Sequence, residues 1–69
     1  MKPVLIVEDD EALAITLQDV LRQGGWEAEY LTRGDQAIDQ LRRRPRDVVI
    51  TDLVLKRTDG FAVLAAARA

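Results

Sequence analysis

The 69-residue sequence has no cysteine, no histidine, and only one Trp, one Tyr and one Phe. Without cysteine, no disulfide supplements the core and no thiolate site exists. Without histidine, the commonest general base and the commonest transition-metal ligand are missing. Neither sign of charge dominates: 12 acidic residues stand against 10 basic ones, a net charge of −2. That balance gives no whole-chain case for binding nucleic acid or an anionic membrane. A long apolar run is absent too. Met1-Lys2-Pro3 leads into Val4-Leu5-Ile6-Val7 and then straight into Glu8-Asp9-Asp10. This is too short for a signal-peptide core or a membrane span, so a cytoplasmic protein is expected. Any chemistry has to use carboxylates, hydroxyls or backbone.

What is present fits a soluble globular domain, with 48% hydrophobic and 32% charged residues. A chain of this size buries only about 60% of the surface exposed on unfolding, so its core is marginal. Val4 to Val7 reads as a strand buried on both faces, typical of a parallel sheet. From Glu11 the period changes, and Leu13, Leu17, Val20 and Leu21 form one stripe of an amphipathic helix. Gly24-Gly25 stops that helix. Trp26 to Tyr30 alternates with period two, as a half-exposed edge strand does, and Trp26 is expected to cover the sheet or pack an interface. A second helix begins near Gly34-Asp35, turns Ala37, Ile38 and Leu41 inward, and is stopped by Pro45. Asp47 to Asp52 is a third strand. The polar loop Lys56 to Gly60 leads to a last helix with Phe61, Val63 and Leu64 as apolar residues and Thr58 or Asp59 as its cap.

The order βαβαβα implies an α/β fold with a parallel sheet and right-handed crossovers. Sites in such sheets lie at the carboxyl ends of the strands. Glu8 and Asp9 directly follow the first strand, and Asp52 closes the third. In strand order 2-1-3 these strands are neighbours about 4.8 Å apart, so three carboxylates converge. Like charges at that spacing raise one another's pKa, and a hard cation such as Mg²⁺ relieves the repulsion through oxygen ligands. A carboxylate beside such an ion is also a nucleophile for phosphorus. The plainer alternative is that acids after a strand cap the next helix, and Asp10 and Glu11 are the natural candidates. Packing does not explain an acid at Asp52.

These two segments also carry a family resemblance. Val4 to Asp10, VLIVEDD, resembles the opening of a response regulator receiver domain, and Asp47 to Gly60, DVVITDLVLKRTDG, resembles its phosphorylation segment. Gly34 and Ala37-Ile38 fit the start of its second helix. The resemblance implies a flavodoxin-like doubly wound sheet in order 2-1-3. It implies Asp52 as phosphoacceptor, Asp9 as a direct ligand of Mg²⁺ (or Mn²⁺), Glu8 as the second acid, and Val54 as a backbone-carbonyl ligand. A sensor histidine kinase or phosphotransfer protein would be the donor, and the chain would be a phosphoacceptor rather than an enzyme. Residues 1–69 would form the amino-terminal part of such a domain, truncated by two strands and two helices. The family's hydroxyl sensor and its partner lysine have no counterpart here, so phosphorylation of Asp52 is expected to be impaired in this truncated form; Lys56 stands where the family usually has proline.

Two further expectations concern surfaces. Arg42, Arg43, Arg44 and Arg46 form a basic run whose simplest role is a solvated face at a helix carboxyl end. The third strand is an edge with the composition of a central strand, which predicts a homodimer through that edge. An assembly module that docks partners without phosphorylation is therefore the competing function. A metal-dependent phosphohydrolase is disfavoured, because Leu53-Val54 follows Asp52 and no second acid stands two residues on.

Overall fold

Strand β1 (Pro3–Val7) owes its central place to being apolar at every position from Val4 to Val7, all of which are buried. The computed structural model describes residues 2–51 and 60–68. The expectations for Asp52, Val54, Lys56, Thr58 and Asp59 lie outside the described residues. The other elements are α1 (Glu11–Gln23), β2 (Glu27–Leu31), α2 (Gly34–Arg43), β3 (Val48–Thr51) and α3 (Gly60–Arg68). The three strands are parallel in the order β2-β1-β3. The α/β fold and the 2-1-3 order thus match what the sequence implies.

Side chains alternate across β1 and split the core in two. Leu5 and Val7 pack with Ala37 and Leu41 of α2 and with Val63 of α3. Val4 and Ile6 pack with Ala28 of β2, and Leu17, Leu21, Trp26 and Tyr30 close over them. One face of the sheet therefore carries α2 and α3, and the other carries α1.

Capping fixes both ends of α1. Asp10 is its N-cap in extended conformation, and its side chain accepts from the Leu13 N–H at 3.2 Å. At the other end Gly25 takes φ 91, which only glycine adopts without strain. The Gly25 N–H then donates to the Arg22 carbonyl at 3.1 Å and the Trp26 N–H to the Leu21 carbonyl at 3.0 Å. This is the Schellman arrangement, and Trp26 and Leu21 supply its apolar contact in the same core cluster.

Three side-chain placements differ from the sequence expectation. In α1 the sheet-facing residues are Ala14, Leu17 and Leu21, whereas Leu13 and Val20 are 45% and 62% exposed. The helix is turned so that Gln18 and Arg22 both donate to the Ala28 carbonyl of β2, at 3.0 and 3.2 Å. That rotation carries Leu13 and Val20 away from the core. In α3, Val63 is buried while Leu64 stays exposed. Arg46 is not part of a solvated face, because its side chain is 2% exposed and lies against Glu29 and Gln40.

Candidate functional site

The carboxyl edge of the sheet is built by three strand ends held in register. Val7 of β1 pairs with Leu31 of β2 on one side and with Thr51 of β3 on the other. The Glu8 N–H continues the β1–β2 ladder by donating to the Leu31 carbonyl at 3.0 Å. Glu8 and Asp9 are half-buried at this edge, while Asp10 is exposed.

The three consecutive acids have separable tasks. Asp10 is occupied as the cap of α1. The Glu8 carboxylate accepts from the Asp10 N–H through Oε1 at 3.2 Å, which holds it close to its own backbone. Neither Glu8 nor Asp9 is ion-paired with a described residue. Among the described residues no three acidic side chains group as metal ligands. Asp52 and the Val54 carbonyl, the other members of the expected ligand set, lie outside those residues.

A cation that the sequence reading did not single out also lies at this edge. Arg33 follows β2 and forms a two-pronged pair with Asp35, Nε to Oδ1 at 3.0 Å and Nη2 to Oδ2 at 2.6 Å. The hydrogen bonds from Arg33 hold the Asp35 carboxyl below the usual carboxylate range, and the Gln36 N–H adds to this. The same pair raises the Arg33 pKa. The available signal was local: a lone Arg with an acid two residues on, at a helix start. Both groups are exposed, so the pair ties down the start of α2 more than it supplies a ligand.

At the opposite edge, Glu29, Gln40, Arg43, Arg44 and Arg46 line a cavity of about 250 Å³. Arg44 holds Glu29 at 2.7 Å and Arg46 reaches it at 3.5 Å, so one carboxylate serves two guanidinium groups. Arg46 also donates to the Arg44 carbonyl, satisfying the open end of α2. This cluster is structural and lies away from the acid pair.

Comparison with known proteins agrees with this geometry. Residues 4–69 match the family described as the response regulator receiver domain. This chain belongs to that family. The receiver chain is 42% identical over 69 residues to the sensory transduction protein RegX3 of Mycobacterium tuberculosis (strain CDC 1551 / Oshkosh), covering 100% of this chain and 30% of that protein. It is 37% identical over 60 residues to the transcriptional regulatory protein BaeR of Escherichia coli O6:H1, covering 87% of this chain and 25% of that one. Among solved structures, a receiver domain (CheY-like) from Methylobacillus flagellatus superposes with a TM-score of 0.90 at 36% identity, covering 100% of this chain and 58% of that one. The chain thus spans 30% of the length of its RegX3 relatives. Receiver domains are regulatory phosphoacceptor modules of two-component systems, in which histidine kinases supply the phosphoryl group. Among the described residues, no helix is long and apolar enough to cross a membrane.

Proposed function

We propose that this receiver chain accepts a phosphoryl group on Asp52, with Glu8 and Asp9 supporting the site, in a cytoplasmic two-component pathway. The observation that carries this reading is the β1–β3 register. Val7 lies opposite Thr51 at the ends of two adjacent parallel strands, and Glu8 and Asp52 are the residues that follow them in sequence.

The donor is a phosphohistidine of a sensor kinase or phosphotransfer protein. An oxygen of the Asp52 carboxylate attacks phosphorus, a P–O bond forms, and the P–N bond to the imidazole breaks. The departing imidazole nitrogen keeps the electron pair and takes up a proton. The protein has little covalent work to do in such a transfer beyond positioning and charge compensation.

The residues present fit a hard divalent cation. Glu8 and Asp9 offer half-buried carboxylate oxygens with no cationic partner among the described residues, which is the donor chemistry Mg²⁺ or Mn²⁺ prefers. Asp52 and the Val54 carbonyl complete the proposed ligand set. When bound, the ion would supply positive charge to offset the charge of the transferring phosphoryl group. Asp9 would hold it directly. Glu8 would act directly or through water by its second carboxylate oxygen, since Oε1 accepts from the Asp10 N–H.

The test is exposure of the chain to acetyl phosphate with Mg²⁺, followed by peptide mass analysis. Addition of one phosphoryl group at Asp52, lost in Asp52→Asn, is the expected result. Labelling elsewhere, with Asp52 untouched, overturns the reading.

A further inference from the structure

The cavity between β2 and the carboxyl end of α2 is unbalanced both in charge and in hydrogen-bonding groups. Its lining residues are Glu29, Gln40, Arg43, Arg44 and Arg46, around a volume of about 250 Å³. Three guanidinium groups stand against one carboxylate there, a net charge of +2. Counting Asp39, which pairs with Arg43 at 3.0 Å, the balance stays positive.

Each side-chain acceptor of the cavity is already engaged. Glu29 Oε1 accepts from Arg44 Nη2 at 2.7 Å, and Oε2 from Arg46 Nη2 at 3.5 Å. Gln40 Oε1 accepts from the same Arg46 nitrogen at 3.2 Å. The end of α2 is served as well. The Arg44 N–H donates to the Gln40 carbonyl at 2.8 Å, and Arg46 Nη1 donates to the Arg44 carbonyl. Donors, by contrast, are in surplus. A guanidinium has N–H donors on all three nitrogens and no acceptor, so Arg43 and Arg44 keep most of theirs. Arg46 is the sharper case. Its side chain is 2% exposed, its ion pair with Glu29 is long, and its Nε has no partner among the described residues. A buried cation so weakly compensated favours further negative charge beside it.

We propose that this cavity binds a phosphate dianion, free or as the head of a phosphomonoester, through Arg43, Arg44 and Arg46. Such a ligand is all acceptors, the complement of a wall rich in donors, and its charge matches the surplus of +2. The forked groups of Arg43 and Arg44 contact it, while Arg46 adds charge from the buried side. The side chains of Arg43 and Arg44 are 77% and 60% exposed, so the ligand enters directly from solvent. Arg43 is free to turn, because its exposed pair with Asp39 is a weak tie. The volume lies below the range usual for drug-sized ligands, about 300–1,000 Å³, and suits a small oxyanion. One effect opposes binding, the partial negative charge at a helix carboxyl end. The Arg44 N–H and the Arg46 guanidinium already offset it by occupying those carbonyls. The site lies away from Glu8 and Asp9 and does not rest on phosphoryl transfer to Asp52.

Amide NMR of the full chain, titrated with inorganic phosphate at constant ionic strength without Mg²⁺, tests it. The titration is run at about pH 8, where the phosphate group is a dianion. Saturable shifts at Glu29, Gln40, Arg43, Arg44 and Arg46 are expected, and equally in Asp52→Asn. Phenyl phosphate separates the two sources: tighter binding than inorganic phosphate assigns a phosphomonoester, and weaker binding assigns free phosphate. Arg43→Gln and Arg44→Gln are each expected to weaken binding about fivefold or more, with circular dichroism unchanged. Arg43→Lys keeps the charge but loses the fork, so its affinity is expected to fall between. Shifts that chloride reproduces, or that both Gln variants leave as in the wild type, overturn the proposal. So do shifts confined to Glu8 to Asp10.

Discussion

Val7 and Thr51 face each other across the parallel β1–β3 register, at the last described position of each strand. The residues that follow them in the sequence are Glu8-Asp9 and Asp52. If those carboxylates share a cation, removing Asp9 is expected to abolish saturable Mg²⁺-dependent shifts of the Glu8 to Asp10 amides. An Asp9→Ala chain that titrates like the wild type would remove Asp9 from the ligand set.

The Glu29 carboxylate answers two arginines, and Arg46 is the one with no access to water to fall back on. Its side chain is 2% exposed, and its Nε has no partner among the described residues. Buried charges are stable only when paired. Glu29→Gln is therefore expected to destabilise the fold by about 1–2 kcal/mol, below the penalty for a fully enclosed pair because Glu29 itself is partly exposed. Urea unfolding should show a lower midpoint with an unchanged slope.

The element order was legible because the signals are local and periodic: the Val4 to Val7 run, the glycine pair at 24–25, and the acids that open α1. The strand order followed from the family resemblance, since no local signal places strands side by side. Asp10 as a cap follows from residue type and position alone. The orientation of α1 was not legible. A 3.6-residue period locates an apolar stripe but not which of its flanks meets the sheet, and hydrogen bonds to β2 decide that. Arg46 was misread for a related reason. In sequence it ends a basic run, and its burial depends on Glu29, 17 residues away. At the site, Glu8 and Asp9 stand where the strand pattern puts them, while Arg33 and Asp35 form a pair that no spacing rule had flagged.

The Arg33–Asp35 pair makes a prediction about pH. Hydrogen bonds from Arg33 lower the Asp35 pKa in the folded state. A carboxyl so depressed stabilises the fold above its unfolded pKa, and that contribution is lost as pH falls through the lower folded value. The dependence is thus confined to the acid limb, below the usual carboxylate range, with no slope at neutral pH. Carboxyl NMR should show Asp35 titrating at lower pH in the wild type than in Arg33→Ala. Identical midpoints would mean that the pair is not formed in solution.

The adjacent acids Asp9 and Asp10 should separate cleanly by function. Asp10 is committed to α1: its Oδ1 accepts from the Leu13 N–H at 3.2 Å, and its extended backbone conformation is that of a cap. Replacing it with alanine leaves a helix-end N–H without its side-chain acceptor, a loss of about 1 kcal/mol. Its backbone N–H, which donates to Glu8, survives the substitution. Asp10→Ala is therefore expected to lower the unfolding midpoint while leaving the Mg²⁺ response at Glu8 and Asp9 intact. Asp9→Ala should do the reverse, because Asp9 caps nothing and its charge sits beside like charges, so its removal costs little stability or even adds some. Chemical denaturation and a Mg²⁺ titration on the two variants measure both quantities. A loss of metal response in Asp10→Ala at temperatures where the chain remains folded would show that Asp10, not Asp9, faces the cation.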